Sequence, residues 1–292
     1  MNIRNWLFQV SYKSIALLGW ILFLATPTKG QNIVPTDYVI TYDFSLITDT
    51  VNNKYLDYWE YVLIGRGDES RFLEASHHHN DSIIVAWDSD NPQYAYPNTS
   101  VEVQAASNAF TSTISGQMQP SYEGFYTRKN FSQQTVDVAL LFTPAHEYMQ
   151  QPLLQDWQIH SVFDTINKIP CQQATLRYSG RNYIAWFSTD IPISDGPYVF
   201  AGLPGLIVKI SDLNEWFTFT LRRIDVSGDA RSWRAEYMPS ENFKITREQF
   251  IQKSRRQKND PQMFGLMELT VEERQNFQQS YKWRNHLLLE SN

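Results

Sequence analysis

The sequence predicts an α+β fold, mainly β, built on a curved antiparallel sheet with helices at its C-terminal end. Three observations carry that prediction. Apolar and polar residues alternate with a period of two in several stretches separated by turn-forming residues, which is the pattern of strands with one wet face. Helix-start signals concentrate after residue 245. The 292 residues, 42% hydrophobic and 14% aromatic, supply one large core, and no repeat or linker divides them.

Residues 1–30 stand apart as a secretory leader. Arg4 and Lys13 precede the apolar run Ile15–Ala25, which is shorter than the roughly 20 residues a spanning helix needs. Thr28 and Gly30 are the small residues of a cleavage site after Gly30, and residues 31–292 then form a single domain. The whole chain has 25 Lys+Arg against 31 Asp+Glu, a net charge of -6. Losing Arg4, Lys13 and Lys29 leaves 22 against 31, or -9. An acidic exported protein has no basic field to recruit nucleic acid. The expected location is the periplasm, or association with the outer membrane.

The first strand is read from Tyr38, Ile40, Tyr42, Phe44 and Leu46, with Thr41, Asp43 and Ser45 between them. Asp57–Ile64 is its hairpin partner across the polar stretch Asp49–Lys54. Residues 88–135, rich in Asn, Ser, Gln, Tyr and Pro, are the least regular part, an excursion on one side of the sheet. Trp157–Phe163 alternates again, with Trp157, Ile159 and Phe163 on one side. Ala174–Ser188 reads as two strands joined at Ser179–Asn182. Phe217–Arg222 and Ser232–Tyr237 are two further alternating runs, separated by the turn signal Ser227-Gly228-Asp229. Thr246-x-x-Gln249 and Thr270-x-x-Glu273 are capping boxes. The first opens a short helix ending before Asn259-Asp260-Pro261; the second opens one from about Val271 to Leu289. The basic run Lys253–Lys258 suits the C-terminal end of that first helix, where cations offset the macrodipole.

Few residues point to chemistry. His77, His79 and Asp81 share one face if the stretch is extended, a set able to ligate a divalent metal. The alternative is a solvated, turn-like loop. The single cysteine, Cys171, excludes an internal disulfide; it is either a small buried hydrophobe or a reactive thiol. Phosphate-binding glycine loops, nucleophile elbows and zinc motifs are absent, and no catalytic residue and no cofactor are expected.

One segment differs from everything else. Tyr183–Asp212 places Pro192, Pro197 and Pro204 with Gly196, Gly202 and Gly205 inside an apolar, strand-like run. Such residues define tight, stiff corners. The expected order is strand, corner at Asp195-Gly196-Pro197, short strand, corner at Leu203-Pro204-Gly205, then a buried strand Leu206–Ile210. The second corner fits a type II turn, with Pro204 and Gly205 at its centre. The corners either curve the sheet or bring backbone close to a ligand or partner.

The run Ala201–Ile207 contains the hexapeptide Gly-Leu-Pro-Gly-Leu-Ile, and on it the chain resembles the GLPGLI family of exported proteins from Bacteroidota. Trp157, Gly180-Arg181, Ala185-Trp186-Phe187, Asp190-Ile191-Pro192-Ile193 and Gly196-Pro197-Tyr198 extend the resemblance in order. The family implies an envelope address and no defined reaction. The antiparallel pattern is also similar, at the level of fold alone, to the curved half-barrels of periplasmic lipoprotein carriers, which hold an apolar cleft. On that reading Trp186, Phe187, Tyr198 and Phe200 line the cleft, while Arg181, Asp190 and Asp195 hold the corner's shape or meet polar groups. The implied work is non-enzymatic binding of an apolar ligand or an outer-membrane partner. The alternatives are a structural part of an outer-membrane assembly, or a periplasmic hydrolase or metal-binding protein.

Overall fold

The computed structural model describes residues 37–49, 54–94, 99–114, 116–119, 125–140, 147–154, 156–225 and 243–259. The leader (1–30), the run Ser232–Tyr237 and the helix expected at 271–289 lie outside them. Among the described residues eleven strands form one sheet: β1 (Tyr38–Asp49), β2 (Lys54–Arg66), β3 (Glu69–Glu74), β4 (Phe125–Asn130), β5 (Thr135–Leu140), β6 (Tyr148–Pro152), β7 (Gln158–Ile166), β8 (Ile169–Tyr178), β9 (Arg181–Ser188), β10 (Leu206–Asp212) and β11 (Phe217–Asp225). Their spatial order is β6-β5-β4-β3-β2-β1-β11-β10-β9-β8-β7, and every neighbouring pair is antiparallel. Two meanders, β1–β6 and β7–β11, meet where β1 pairs with β11. The predicted hairpins are present: β1 pairs with β2 from Tyr38↔Gly65 to Asp49↔Lys54, and β8 with β9 up to Tyr178↔Arg181. The β8–β9 loop is Ser179-Gly180 alone, both at positive φ (47° and 74°), the geometry of a type I′ turn.

Chain connectivity forces the sheet to curl. β6 and β7 are its two edges, ten strand spacings apart, or about 48 Å if the sheet were flat. Yet only six Cα steps join Pro152 to Gln158, a reach of at most about 22 Å. The two ends must therefore approach each other. They do: Gln151 Nε2 on β6 donates to the Tyr178 hydroxyl on β8 at 2.7 Å. The sheet stays open, since no ladder joins β6 to β7 among the described residues.

Alternation sorts side chains between the inside and outside of this curl. Ile40, Tyr42, Phe44 and Leu46 of β1 point in and are buried, with Tyr61, Leu63, Phe72, Phe217, Phe219 and Leu221 around them. Phe44 stacks on Phe219 at 4.5 Å and Tyr61 on Phe72 at 5.1 Å between ring centroids. Outside, a smaller cluster of Val39, Val62, Ile64, Leu73 and Tyr126 is packed by Ala75 at the start of helix α1 (Ala75–Asp90). Helix α2 (Ser100–Ile114) packs on α1 through Trp87 and Phe110, edge-to-face at 5.1 Å.

Residues 88–135 are thus more regular than expected: they hold the end of α1, α2, β4 and the start of β5. Polar composition concealed two helices whose apolar faces are narrow. The histidine stretch also differs from its expectation, being neither extended nor a loop but the first turns of α1. In a helix His77 and His79 lie about 200° apart around the axis, so the His77–His79–Asp81 face does not exist. His79 Nε2 instead lies 3.3 Å from the Gln117 carbonyl, and Asn80 holds Gln119 by two 2.8 Å bonds. Helix α3 (Arg247–Asn259) starts at the predicted capping box: Gln249 N donates to Thr246 Oγ1 at 3.2 Å and Thr246 N to Gln249 Oε1 at 2.9 Å. Phe250 of α3 reaches the main core, Lys253 pairs with Glu147, and Arg247 Nη2 donates to Ser179 Oγ at 2.5 Å. With these contacts α3 bridges the two ends of the curl.

Candidate functional site

The segment between β9 and β10, residues 189–205, forms no strand; it crosses the inside of the curled sheet. Its exposed turns carry Asp190, Pro192, Gly202 and Pro204 at the surface. Its middle, from Asp195 to Ala201, is buried, with Val199, Phe200 and Ala201 at 0% exposure and Leu203 at 1%. Phe200 is the hub of an aromatic cluster, 4.8 Å from Tyr183, 6.0 Å from Tyr178 and 6.2 Å from both Tyr198 and Trp157. Phe187, Tyr198 and Phe200 therefore do not line an open cleft; they are the core. Trp186 is half-buried and packs against the cluster's rim.

Side chains from strands β1 and β4, and from Trp157 just before β7, make four pins on this segment and the start of β10. Tyr42 of β1 donates from its hydroxyl to the Ile207 carbonyl at 2.7 Å, and Thr127 of β4 to the Tyr198 carbonyl at 2.9 Å. Trp157, just before β7, donates from Nε1 to the Ala201 carbonyl at 2.7 Å. The fourth pin is ionic. Lys129 of β4 and Asp195, each with a side chain 1% exposed, meet at 2.6 Å, and Lys129 Nζ also donates to the Gly196 carbonyl. Asp195 further accepts from its neighbour Gly196 N at 2.7 Å and from the Tyr38 hydroxyl at 2.9 Å. β4 and β10 are five strands apart, about 24 Å on a flat sheet; the segment spans them only because the sheet curls.

Burial sets the electrostatics. Desolvation pulls the Lys129 ammonium below its ordinary value, partly countered by the Asp195 charge. Burial, reinforced by Asp195, pushes the Tyr38 and Tyr42 phenols well up, so both remain protonated donors. The two ionised partners satisfy each other and the adjacent backbone, which is the condition for keeping charge inside a core.

The corners have different chemistry from that expected. Gly205 N donates to the Leu203 carbonyl at 2.8 Å, a three-residue γ-turn centred on Pro204 rather than a type II turn. Gly205 is required by close approach, because a Cβ there would sit 2.0 Å from the Ser188 carbonyl oxygen. At the other corner, Phe200 N donates to the Pro197 carbonyl at 3.1 Å, and buried Tyr198 takes φ 54°, a left-handed conformation that bulky residues avoid. Its ring packing and the Thr127 bond hold it there.

Arg181 lies at a second corner, 3.6 Å from Asp212 and with its guanidinium 5.0 Å above the Phe217 ring. Asp212 accepts from Phe217 N at 2.9 Å, and burial raises its carboxyl above the ordinary range. Arg181 thus serves the β9–β10–β11 corner, apart from Lys129. Cys171 is buried, with its thiol pushed up chiefly by burial. No group of three or more His, Cys, Asp or Glu side chains placed to hold a metal exists among the described residues.

Residues 172–209 match the model of a family described as "Protein of unknown function (Porph_ging)". The matched stretch runs from β8 through the pinned segment into β10 and contains the Gly202–Ile207 hexapeptide, so the resemblance to an uncharacterised family rests on the segment that fills the sheet. No curated protein matches the chain. Solved structures similar to it include PNGF-II in two space groups, P21 and C2, each at 12% identity, with TM-scores of 0.42 and 0.44. They cover 76% and 75% of this chain and 34% and 33% of their own, so the chain spans about a third of their length.

Sequence reasoning singled out Asp195, Gly196, Pro197, Tyr198, Leu203 and Gly205, which the fold gathers in or against the core, while Asp190, Pro192, Gly202 and Pro204 mark its surface turns. It missed Lys129, Tyr38, Tyr42 and Thr127, the partners that hold them. The available signal was alternation: with Tyr126 and Arg128 facing out, Thr127 and Lys129 face in, and an inward lysine requires a carboxylate.

Proposed function

We propose that this chain is an exported, non-enzymatic envelope module that works by docking a partner protein associated with the outer membrane. The observation carrying this reading is that the sheet's interior, where a carrier of this shape would hold its ligand, is filled by the chain's own Asp195–Leu203 segment. The buried charges beside it are committed within the chain, Lys129 to Asp195 and Gly196, and Tyr38 donates to Asp195. What the molecule offers to others is its outer surface. The apolar leader sequence of residues 1–30 supports export, and no helix among the described residues is long and apolar enough to cross a membrane.

The test is recovery of the native protein from its own envelope after mild crosslinking, with lipid extraction in parallel. A stoichiometric outer-membrane protein is the expected result. Stoichiometric lipid with no protein partner would replace this reading with ligand carriage, and recovery of bare chain alone would remove both.

A further inference from the structure

The sheet leaves few places for the alternating run Ser232–Tyr237, which lies outside the described residues. The turn signal Ser227-Gly228-Asp229 would fold it back on β11, but both sides of β11 are taken, by β1 and β10. Among the described residues only the outer edges of β6 and β7 lack a neighbouring strand. β6 has 5 residues, and its Tyr148 end is occupied: Tyr148 and Lys244 form a parallel bridge, and Ile245 N donates to the Tyr148 carbonyl at 2.9 Å. β7 (QIHSVFDTI) offers 9 residues and has no Lys, Arg or Pro to blunt its edge. It also shows a surface that an added strand would cover. Ile159 lies opposite Ala174 and Ala174 opposite Ala185; Phe163 lies opposite Gln172 and Gln172 opposite Phe187. Ile159 and Phe163 therefore share the face that fills the curl. Yet they are 49% and 71% exposed, whereas Ala185 and Phe187 are at 0%.

Direction and length agree. Ten antiparallel ladders separate β6 from β7, so the two strands point the same way. β11 ends at Asp225, at the end of the sheet where β1 begins and β7 finishes. The chain is next described at Phe243, beside the start of β6 at the opposite end. A chain joining those points travels the length of the sheet against the direction of β7. From β11 the seam between the edges is four strands away through β7 and six through β6. Asp225 and Phe243 are 18 Cα steps apart, a reach of about 65 Å at most. Following β7 takes about 30 Å and crossing four strand spacings about 19 Å, so the length suffices.

We infer that Ser232–Tyr237 pairs antiparallel with the outer edge of β7. Trp233, Ala235 and Tyr237 then join Ile159 and Phe163 on the concave face, while Ser232, Arg234 and Glu236 face water. A slip of one residue reverses those faces, so the alternation selects which side turns in. The long unprotected edge is removed. A docking partner is left the outer face of the sheet rather than strand addition at β7.

Hydrogen exchange of the chain without residues 1–30 tests this, read at the β7 amides that do not bond to β8. They are expected to exchange at least about a hundredfold slower than open peptide, at every protein concentration. Ala235→Pro removes a ladder donor from the middle of the run and should return those amides to open-peptide rates, while β1 and β10 keep theirs. Benzoylphenylalanine in place of the exposed Phe163 gives a second reading that does not depend on the proline variant folding: irradiation should link it to the peptide carrying Trp233–Tyr237. Unprotected β7 amides overturn the proposal. Protection that rises with concentration also overturns it, because a second molecule then covers the edge. So does protection that survives Ala235→Pro, or a photolink to any other peptide, because another segment then does.

Discussion

Replacing Asp195 with Asn isolates the ionic pin. It keeps the side chain's shape and its contact with Tyr38, but leaves the Lys129 ammonium, 1% exposed, without an opposite charge. Removing one partner of a buried pair costs about 3–5 kcal/mol. Deprotonation of the lysine caps the loss: from an ordinary value of 10.5, neutralising it at pH 7 costs about 5 kcal/mol at 1.36 kcal/mol per pH unit. Urea unfolding should therefore show Asp195→Asn destabilised by about 3–5 kcal/mol. Lys129→Met combined with Asp195→Leu should lose much less than the two single changes together, because no charge is then stranded. The pH profile gives an independent check. Burial lowers the Lys129 value in the fold, so between that lowered value and 10.5 the unfolded chain holds more protons, and stability rises with pH. Without Asp195 the value falls further and the rise begins at lower pH. Cys171, Tyr38 and Tyr42 are pushed up from 9.0, 10.0 and 10.0 and act with opposite sign, so the comparison belongs below about pH 9. A single variant within about 1 kcal/mol of the parent, or additive singles, would show that the pair does not fix the segment.

Three further changes probe separate features. Gly205→Ala drives a Cβ to 2.0 Å from the Ser188 carbonyl and should cost about 3 kcal/mol or more, whereas Gly67→Ala, at φ 57° with open space around it, should cost only about 1 kcal/mol; paired thermal melts distinguish them. Trp157→Phe retains the ring but leaves the Ala201 carbonyl without its 2.7 Å donor, a loss of about 1–3 kcal/mol in denaturant unfolding. Thr246→Ala removes the side-chain half of the capping box and should cost about 0.5–2 kcal/mol, with helix α3 showing faster hydrogen exchange.

Strands β1, β2 and β7 to β11 and helix α3 were legible because their signals are local, whereas β3 to β6 were not read. The period-two runs at Tyr38–Leu46 and Phe217–Arg222 each bury one face of a single sheet, and Ser179-Gly180 and Thr246-x-x-Gln249 are short-range turn and cap chemistry. The corners were legible as corners, since Pro and Gly limit φ wherever they occur, but not in type: the γ-turn at Pro204 follows from the pressure of Ser188 against Gly205, a contact made only in the fold. Helices α1 and α2 were hidden because polar residues fill them and tertiary packing of Val85, Trp87 and Phe110 decides their state. The filling of the interior was equally hidden. An apolar run ending in Leu206–Ile210 has the same composition whether it lines a cleft or plugs one, and the answer depends on Lys129, sixty-six residues away from Asp195.

Asp195–Leu203 is a permanent part of the core. Site-resolved native hydrogen exchange at the hydrogen-bonded amides of Asp195, Phe200 and Gly202 tests it most directly. These amides should exchange only through global unfolding, with the same free energy and denaturant dependence as the strands β1 and β10. Exchange of these three through a separate, lower-energy opening, while β1 and β10 stay protected, would show a segment that leaves the sheet and vacates a cavity, and would contradict it.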